Sequence, residues 1–401
     1  MVKARRDGPF SDGGLVGWAD YPTGPGAHRR EAVRHQYQTY LDGGAFTTFH
    51  AYKSQLGIQS WMYSVLDSLL NVSSYQKLET FRFLTALMTA IVLSFFIAWF
   101  FEEFGLITAC AVLICILYSM WITLFARNLW WVTGVFYIPV VSMLFLLSGH
   151  WPRHRYSNVD ASLLVFFSIS IKCLFNGYEF ITTTLIMMVS PFIYYAAKCK
   201  WALSVLLKRL FIVGLACAAA IMLNLAMLIH QFSTIEGGYF RGLQYIYYRI
   251  VKRTYYFDES AEFGRGHSVD LASVLNDYAN SLLMSFEWVA NELVPFAASL
   301  SLRAWHIVGI LVVVTLVANS ILYRRGLDEQ TRRKCVGLLA TAWFSLLAPL
   351  SWLIIFKSHS ANHLHMNHII WHMPFALFSF AAFGLLIAGI LPAIRRSEDN
   401  H

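Results

Sequence analysis

Apolar stretches recur along this chain between residues 80 and 392, at approximately 80–101, 105–126, 129–148, 161–175, 180–197, 210–232, 304–323, 336–356 and 373–392. Most approach the roughly 20 residues that a helix needs to cross the hydrocarbon of a bilayer. Inside hydrocarbon no water satisfies the backbone, so spans of this kind must be helices bonded within themselves. Composition agrees, because only 13% of the residues are charged, against about a quarter in soluble domains. At 401 residues a soluble chain would need polar surface for two or three domains, and that charge is missing. The sequence therefore predicts an all-α polytopic membrane protein of about nine transmembrane helices with external amphipathic helices, and excludes a cytosolic enzyme or a disordered scaffold.

Residues 1–79 contain no span; they form an external region in which Phe49, Leu56, Ile58, Trp61, Tyr63, Leu66 and Leu69 suit interfacial helices. Six spans fill 80–232, a large external loop 233–303, three spans 304–392, and a cytoplasmic tail 393–401. The fourth and fifth spans are joined only by Asn176 to Glu179 and should form a tight hairpin, the fifth kinked at Pro191. If the spans alternate, Arg153, Arg155, Lys198, Lys200, Lys208, Arg324, Arg325, Arg332 to Lys334, Arg395 and Arg396 share one side, which the positive-inside rule makes cytoplasmic. The N-terminal region then lies outside, either translocated unaided or, the favoured reading, preceded by a further helix upstream of Met1.

A net charge of +8 is spread over short loops rather than gathered into a nucleic-acid-binding patch. Six cysteines lie in or beside apolar segments with neither zinc nor CxxC spacing, so no disulfide framework is expected.

Chemistry concentrates at the external boundary. Lys357 to His372 packs in five of the chain's 14 histidines. On one helix, His365, His368 and His372 would share a face while His359 and His363 pair at a spacing of four. Such imidazoles bind phosphate, move protons or ligate a metal; solvating the membrane edge is the plainer role. With no thiolate or carboxylate beside them no metal site is assigned, and a divalent metal remains an option, not a requirement. Arg127, Lys172 and Glu179 form a second group: cations here can neutralise a phosphate, or merely snorkel. The segment from Gly237 to Phe257 interleaves aromatics with Arg241, Arg249, Lys252 and Arg253, an interfacial belt suited to anchoring or to an anionic lipid head group. Asp42, followed by two glycines, offers an external carboxylate as a general base, or a simple turn.

This layout resembles the GT-C-fold glycosyltransferases, the class that includes protein O-mannosyltransferases and the lipid A aminoarabinose transferase. The likeness is architectural over about 45–392. Local echoes lie in Tyr52 to Gln59, Phe125 to Trp131, Lys172 to Glu179 and His363 to Asn367. It implies transfer of a sugar from a polyprenyl-phosphate donor to a glycan or protein acceptor at the external membrane face, in a bacterial cytoplasmic membrane, with no cofactor required. Asp42 is then the expected base; Arg127, Lys172, Lys357, His365 and His368 the phosphate ligands; and Tyr52, Gln55, Tyr178, Glu179, His363 and Asn367 the substrate contacts. The family's adjacent acidic pair has no counterpart in the N-terminal region, since Glu102 and Glu103 fall on the cytoplasmic side. A flippase or transporter for a lipid-linked glycan is the runner-up, disfavoured because the chain lacks matching halves. A histidine-box metalloenzyme fits less well, having one cluster on the wrong side.

Overall fold

A computed structural model describes residues 16–20, 29–52, 54–149, 157–254, 270–285, 301–324 and 328–398. Arg153, Arg155 and much of the large loop lie outside them, as does the side chain of His365. Helices dominate, and six stretches among the described residues are long and apolar enough to cross a membrane. They are Ser74–Phe104, Asn158–Asn176, Leu203–Glu236, Ala304–Ile321, Glu329–Ile355 and His368–Gly389. The chain is thus an integral membrane protein by length and composition of its helices.

Three of the nine expected segments are helical but fall short of that standard, for reasons visible in their residues. The second breaks at Tyr118 and Ser119, where the Ser119 side chain caps a new helix by accepting from the Ile122 amide. The third starts only at Thr133, and the fifth carries Thr182 to Thr184, Pro191 and two tyrosines.

Before the first span, β1 (Gly17–Ala19) pairs antiparallel with β2 (Phe49–Ala51) across the intervening α1 (Arg29–Leu41), and α2 (Ile58–Leu69) follows. The Asp20 carboxylate accepts from the amides and hydroxyls of Thr47 and Thr48, which clips this pair together. Its pKa is lowered: burial opposes ionisation, but these four bonds prevail. Helix α2 exposes Trp61, Met62, Val65 and Leu69 while burying Gln59, Tyr63 and Asp67. That is an interfacial helix with its polar residues turned inward to bonding partners.

The bundle follows as α3 (Ser74–Phe104), α4 (Leu106–Leu117), α5 (Met120–Ala126), α6 (Thr133–Ser148), α7 (Asn158–Asn176), α8 (Ile181–Lys198) and α9 (Leu203–Glu236). A surface helix α10 (Tyr239–Thr254) and a short α11 (Leu271–Ala279) precede β3 (Leu282–Ser285), which pairs antiparallel with β4 (Ser301–Arg303). Then come α12 (Ala304–Arg324), α13 (Glu329–Ser345), α14 (Leu347–Ile355), α15 (Lys357–Asn362), α16 (Leu364–Asn367), a 3-10 turn (His368–His372) and α17 (Phe375–Glu398).

Although only four residues separate α7 from α8, the two do not form the expected hairpin. Helix α7 packs chiefly on α9 and α6, whereas α8 packs on α13 and α6. Helix α17 runs through the centre, 78% of its span buried, against 28% for α9. Helix α9 presents Leu203, Phe211, Leu215 and Met222 outward, the surface expected against lipid tails. Around α17 the core gathers Phe96, Trp99, Phe100, Tyr137, Tyr194, Trp352 and Phe378.

Candidate functional site

A cavity of about 970 Å³ opens between the N-terminal segment and the bundle end formed by α3, the α5–α6 linker, α10 and α15. Its lining is rich in aromatic rings, with Trp18, Tyr40, Tyr52 and Trp130 among them. The linker is held rigid from both ends. The Asn128 side chain accepts the amides of Trp130 and Trp131 at 2.7 and 3.1 Å, and the buried Asn176 amide group brackets the Val132 backbone at 2.9 and 3.0 Å. Gln55 and Gln59, both buried, donate to the Trp130 carbonyl at 3.3 and 2.8 Å. The Trp130 ring is thereby fixed against Trp18 and Tyr52, centroids 4.9 and 5.0 Å away.

Interleaved with these rings are the cationic and imidazole side chains of Arg82, Arg127, Arg249, His359 and His363. Arg127 pairs with Glu79 at 2.7 Å, and Arg82 lies against the other oxygen of that carboxylate.

Behind His359 lies a buried network assembled from four distant parts of the chain. Helix α7 ends at Asn176, and the turn beyond it needs positive φ at Gly177 (58°) and Phe180 (52°). Lys172 reaches past the helix end and donates to the carbonyls of Gly177 and Glu179 at 2.8 and 2.6 Å, a cation serving the orphan acceptors of a helix C-terminus. The turn so fixed presents the Glu179 carboxylate, 2% exposed, to His359 Nε2 at 2.7 Å and Arg253 Nη1 at 3.2 Å. Arg253 Nη2 also donates to the Tyr52 and Ser54 hydroxyls at 3.2 Å each, and Arg249, one helical turn earlier, donates to Ser54 at 3.3 Å.

Burial favours the neutral acid, yet the Arg253 charge and the His359 hydrogen bond outweigh it and hold Glu179 well below the usual carboxylate range. For His359 burial is the largest influence and lowers its pKa despite Glu179. We therefore take the pair as an ionised carboxylate accepting Nε2–H from a neutral imidazole. That tautomer leaves Nδ1 as the acceptor on a ring that lines the cavity.

The structure brings Arg127, Tyr52 and His363 together in the cavity lining, with Gln55 and Glu179 directly behind it. The other expected site residues fall elsewhere. Asp42 is exposed in the turn after α1, where its carboxylate accepts both bonds of the Gln38 amide at 2.9 and 3.1 Å; it is not among the lining residues. Lys172 is a clip on the turn, and Lys357 is half-buried outside the lining. Tyr178 donates to the Ile221 carbonyl at 3.3 Å. Asn367 is buried, and His368 sits between the rings of Trp121 and Tyr278 at 4.7 and 5.0 Å.

The histidine segment is not one helix; α15, α16 and a 3-10 turn divide it. His359 and His363 still stack, centroids 4.3 Å apart, but the face expected to join His365, His368 and His372 has no continuous helix to form on. Arg249 and Arg253, read from sequence as part of an anchoring belt, are site residues here; their spacing of four on a helix was the available signal. Among the described residues no group of three or more His, Cys, Asp and Glu side chains is arranged to hold a metal ion. Compared with protein-family models, with curated proteins and with solved structures, the chain matches none.

Proposed function

We propose that this protein is a polytopic membrane glycosyltransferase with nine traverses in a GT-C-like bundle. It moves a sugar from a polyprenyl-phosphate donor to a glycan or protein acceptor at the external face of a bacterial cytoplasmic membrane. The observation that carries the reading is the cavity itself: aromatic rings of the kind that stack on sugar faces share one lining with arginines and histidines, at one end of a membrane-spanning bundle. The donor is activated by its lipid phosphate, so the reaction needs no nucleotide site.

In this scheme the acceptor hydroxyl gives its proton to His359 Nδ1 as its oxygen bonds to the anomeric carbon. The bond from that carbon to the phosphate oxygen breaks, and its electron pair leaves on the phosphate, where cationic side chains receive it. Glu179 stabilises the imidazolium and keeps its ring oriented. His359 replaces Asp42 as the proton acceptor because it is the one that lines the cavity.

Proteoliposomes carrying a panel of polyprenyl-phosphate-linked hexoses test this. Release of free polyprenyl phosphate, lost at least a hundredfold in His359→Gln as for other general bases, is the expected outcome. Translocation of the intact lipid-linked sugar without cleavage would instead make the protein a flippase.

A further inference from the structure

On the transferase reading, we propose that Arg249 is the residue that binds the donor's phosphate in the cavity. The cavity's three arginines are not equivalent. Arg82 and Arg127 already share the Glu79 carboxylate. Both oxygens of Glu179 are taken, one by His359 and one by Arg253. Arg249, by contrast, meets no carboxylate among the described residues. Its contacts there are the Ser54 hydroxyl and the face of Tyr245, 6.0 Å from the ring centroid.

The Arg249 Nε is buried without a hydrogen-bond partner among the described residues, while the residue itself lines the cavity. A guanidinium cannot shed its proton to escape this position. The local charge count points the same way: Lys172, Arg249 and Arg253 stand against the single carboxylate of Glu179 in the described network. Excess buried positive charge is costly unless an anion completes it. A phosphate ester supplies that charge and presents oxygens matched to the guanidinium fork. Arg127, which the sequence put forward for this task, is instead paired with Glu79.

The experiment measures binding of farnesyl phosphate to the full chain in nanodiscs of zwitterionic lipid, with farnesol and inorganic phosphate as separate arms. Wild-type protein should bind farnesyl phosphate and discriminate against farnesol. Inorganic phosphate should compete weakly, which distinguishes a lipid-borne phosphate from a free one; competition at equal affinity would overturn the lipid assignment. Arg249→Met should weaken binding at least about tenfold, the loss of one charged hydrogen bond. Arg249→Lys, which keeps the charge but not the fork, should lose less than the Met variant, and Arg127→Met, whose charge is already shared with Glu79, should lose less than Arg249→Met. Equal affinities for farnesyl phosphate and farnesol, no loss in Arg249→Met, or equal losses in the Met and Lys variants would overturn the assignment while leaving the transferase reading standing. Absence of any binding by the wild type would overturn that reading with it.

Discussion

At the residue scale the molecule is organised by one carboxylate. Glu179 has two charged or polar partners, His359 buried and Arg253 largely so, and removing its charge leaves Arg253 without a counter-ion among the described residues. Glu179→Gln should therefore destabilise by about 3–5 kcal/mol, the range for breaking a buried pair, measured as denaturant unfolding in detergent. The pH dependence has a definite sign. His359 is held below its ordinary value of 6.5, so the unfolded chain takes up a proton before the folded one does. Stability from this group is full above about pH 6.5 and falls as the pH drops. Glu179, depressed from 4.5, adds a second loss as the pH falls below that value. A thermal midpoint that declines from pH 7.5 to 5.5, and declines less in His359→Asn, is the expected result. The groups facing His359 are Glu179, Arg253, Arg249 and His363, and a flat profile would mean that the imidazole is not neutral in the fold.

Among the elements, the turn joining α7 to α8 decides whether the site exists. Gly177 adopts a φ of 58° with the Ser54 backbone directly against it, and a Cβ there would also sit 2.6 Å from the Gln55 side chain. Gly177→Ala must therefore both strain the turn and push the N-terminal segment away. A cost of about 1–3 kcal/mol from the backbone alone should be accompanied by faster proteolysis of the segment around Ser54. Lys172→Met removes two bonds to carbonyls of the same turn and should cost roughly 1.5–3 kcal/mol. Because Lys172 does not line the cavity, any fall in farnesyl phosphate affinity in that variant should track the loss of folded protein. At the bundle centre Gly384 lets α17 approach α4 so closely that a Cβ would lie 2.8 Å from that of Ala111; small residues matter there for packing, not for chemistry.

For the whole molecule, both ends of the bundle carry cations. Opposite the cavity, Glu103 at the end of α3 accepts from the Tyr194 hydroxyl at 2.7 Å, and its carboxylate and carbonyl take Lys198 and Lys334. Lys200 meets Glu329 at that end as well. In the proposed orientation this is the cytoplasmic end. In a background without native cysteines, Gln244→Cys on α10 should react with an impermeant thiol reagent in intact cells, and Gln330→Cys on α13 should not. The reverse pattern would place the cavity inside the cell and remove an external transferase from consideration.

What the sequence determined by itself follows from solvent physics. Long apolar runs with little charge can only be membrane helices, because every backbone amide must be satisfied within its own segment, and that requirement is local. The histidine segment and the basic residues of 241–253 were legible as unusual, because polar groups at a membrane edge are conspicuous against an apolar background. Their partners were not legible. Glu179 meets His359 across 180 positions and Arg253 across 74, and Arg253 reaches Tyr52 across 201. No periodicity encodes such separations. Asp42 and Lys172 show the converse. Each had the right chemistry for its expected task, but one is spent on Gln38 in an exposed turn and the other on capping a helix. Which carboxylate faces a cavity and which cation is already neutralised depends on how α7, α10 and α15 converge, a property of the packed bundle and of no single segment.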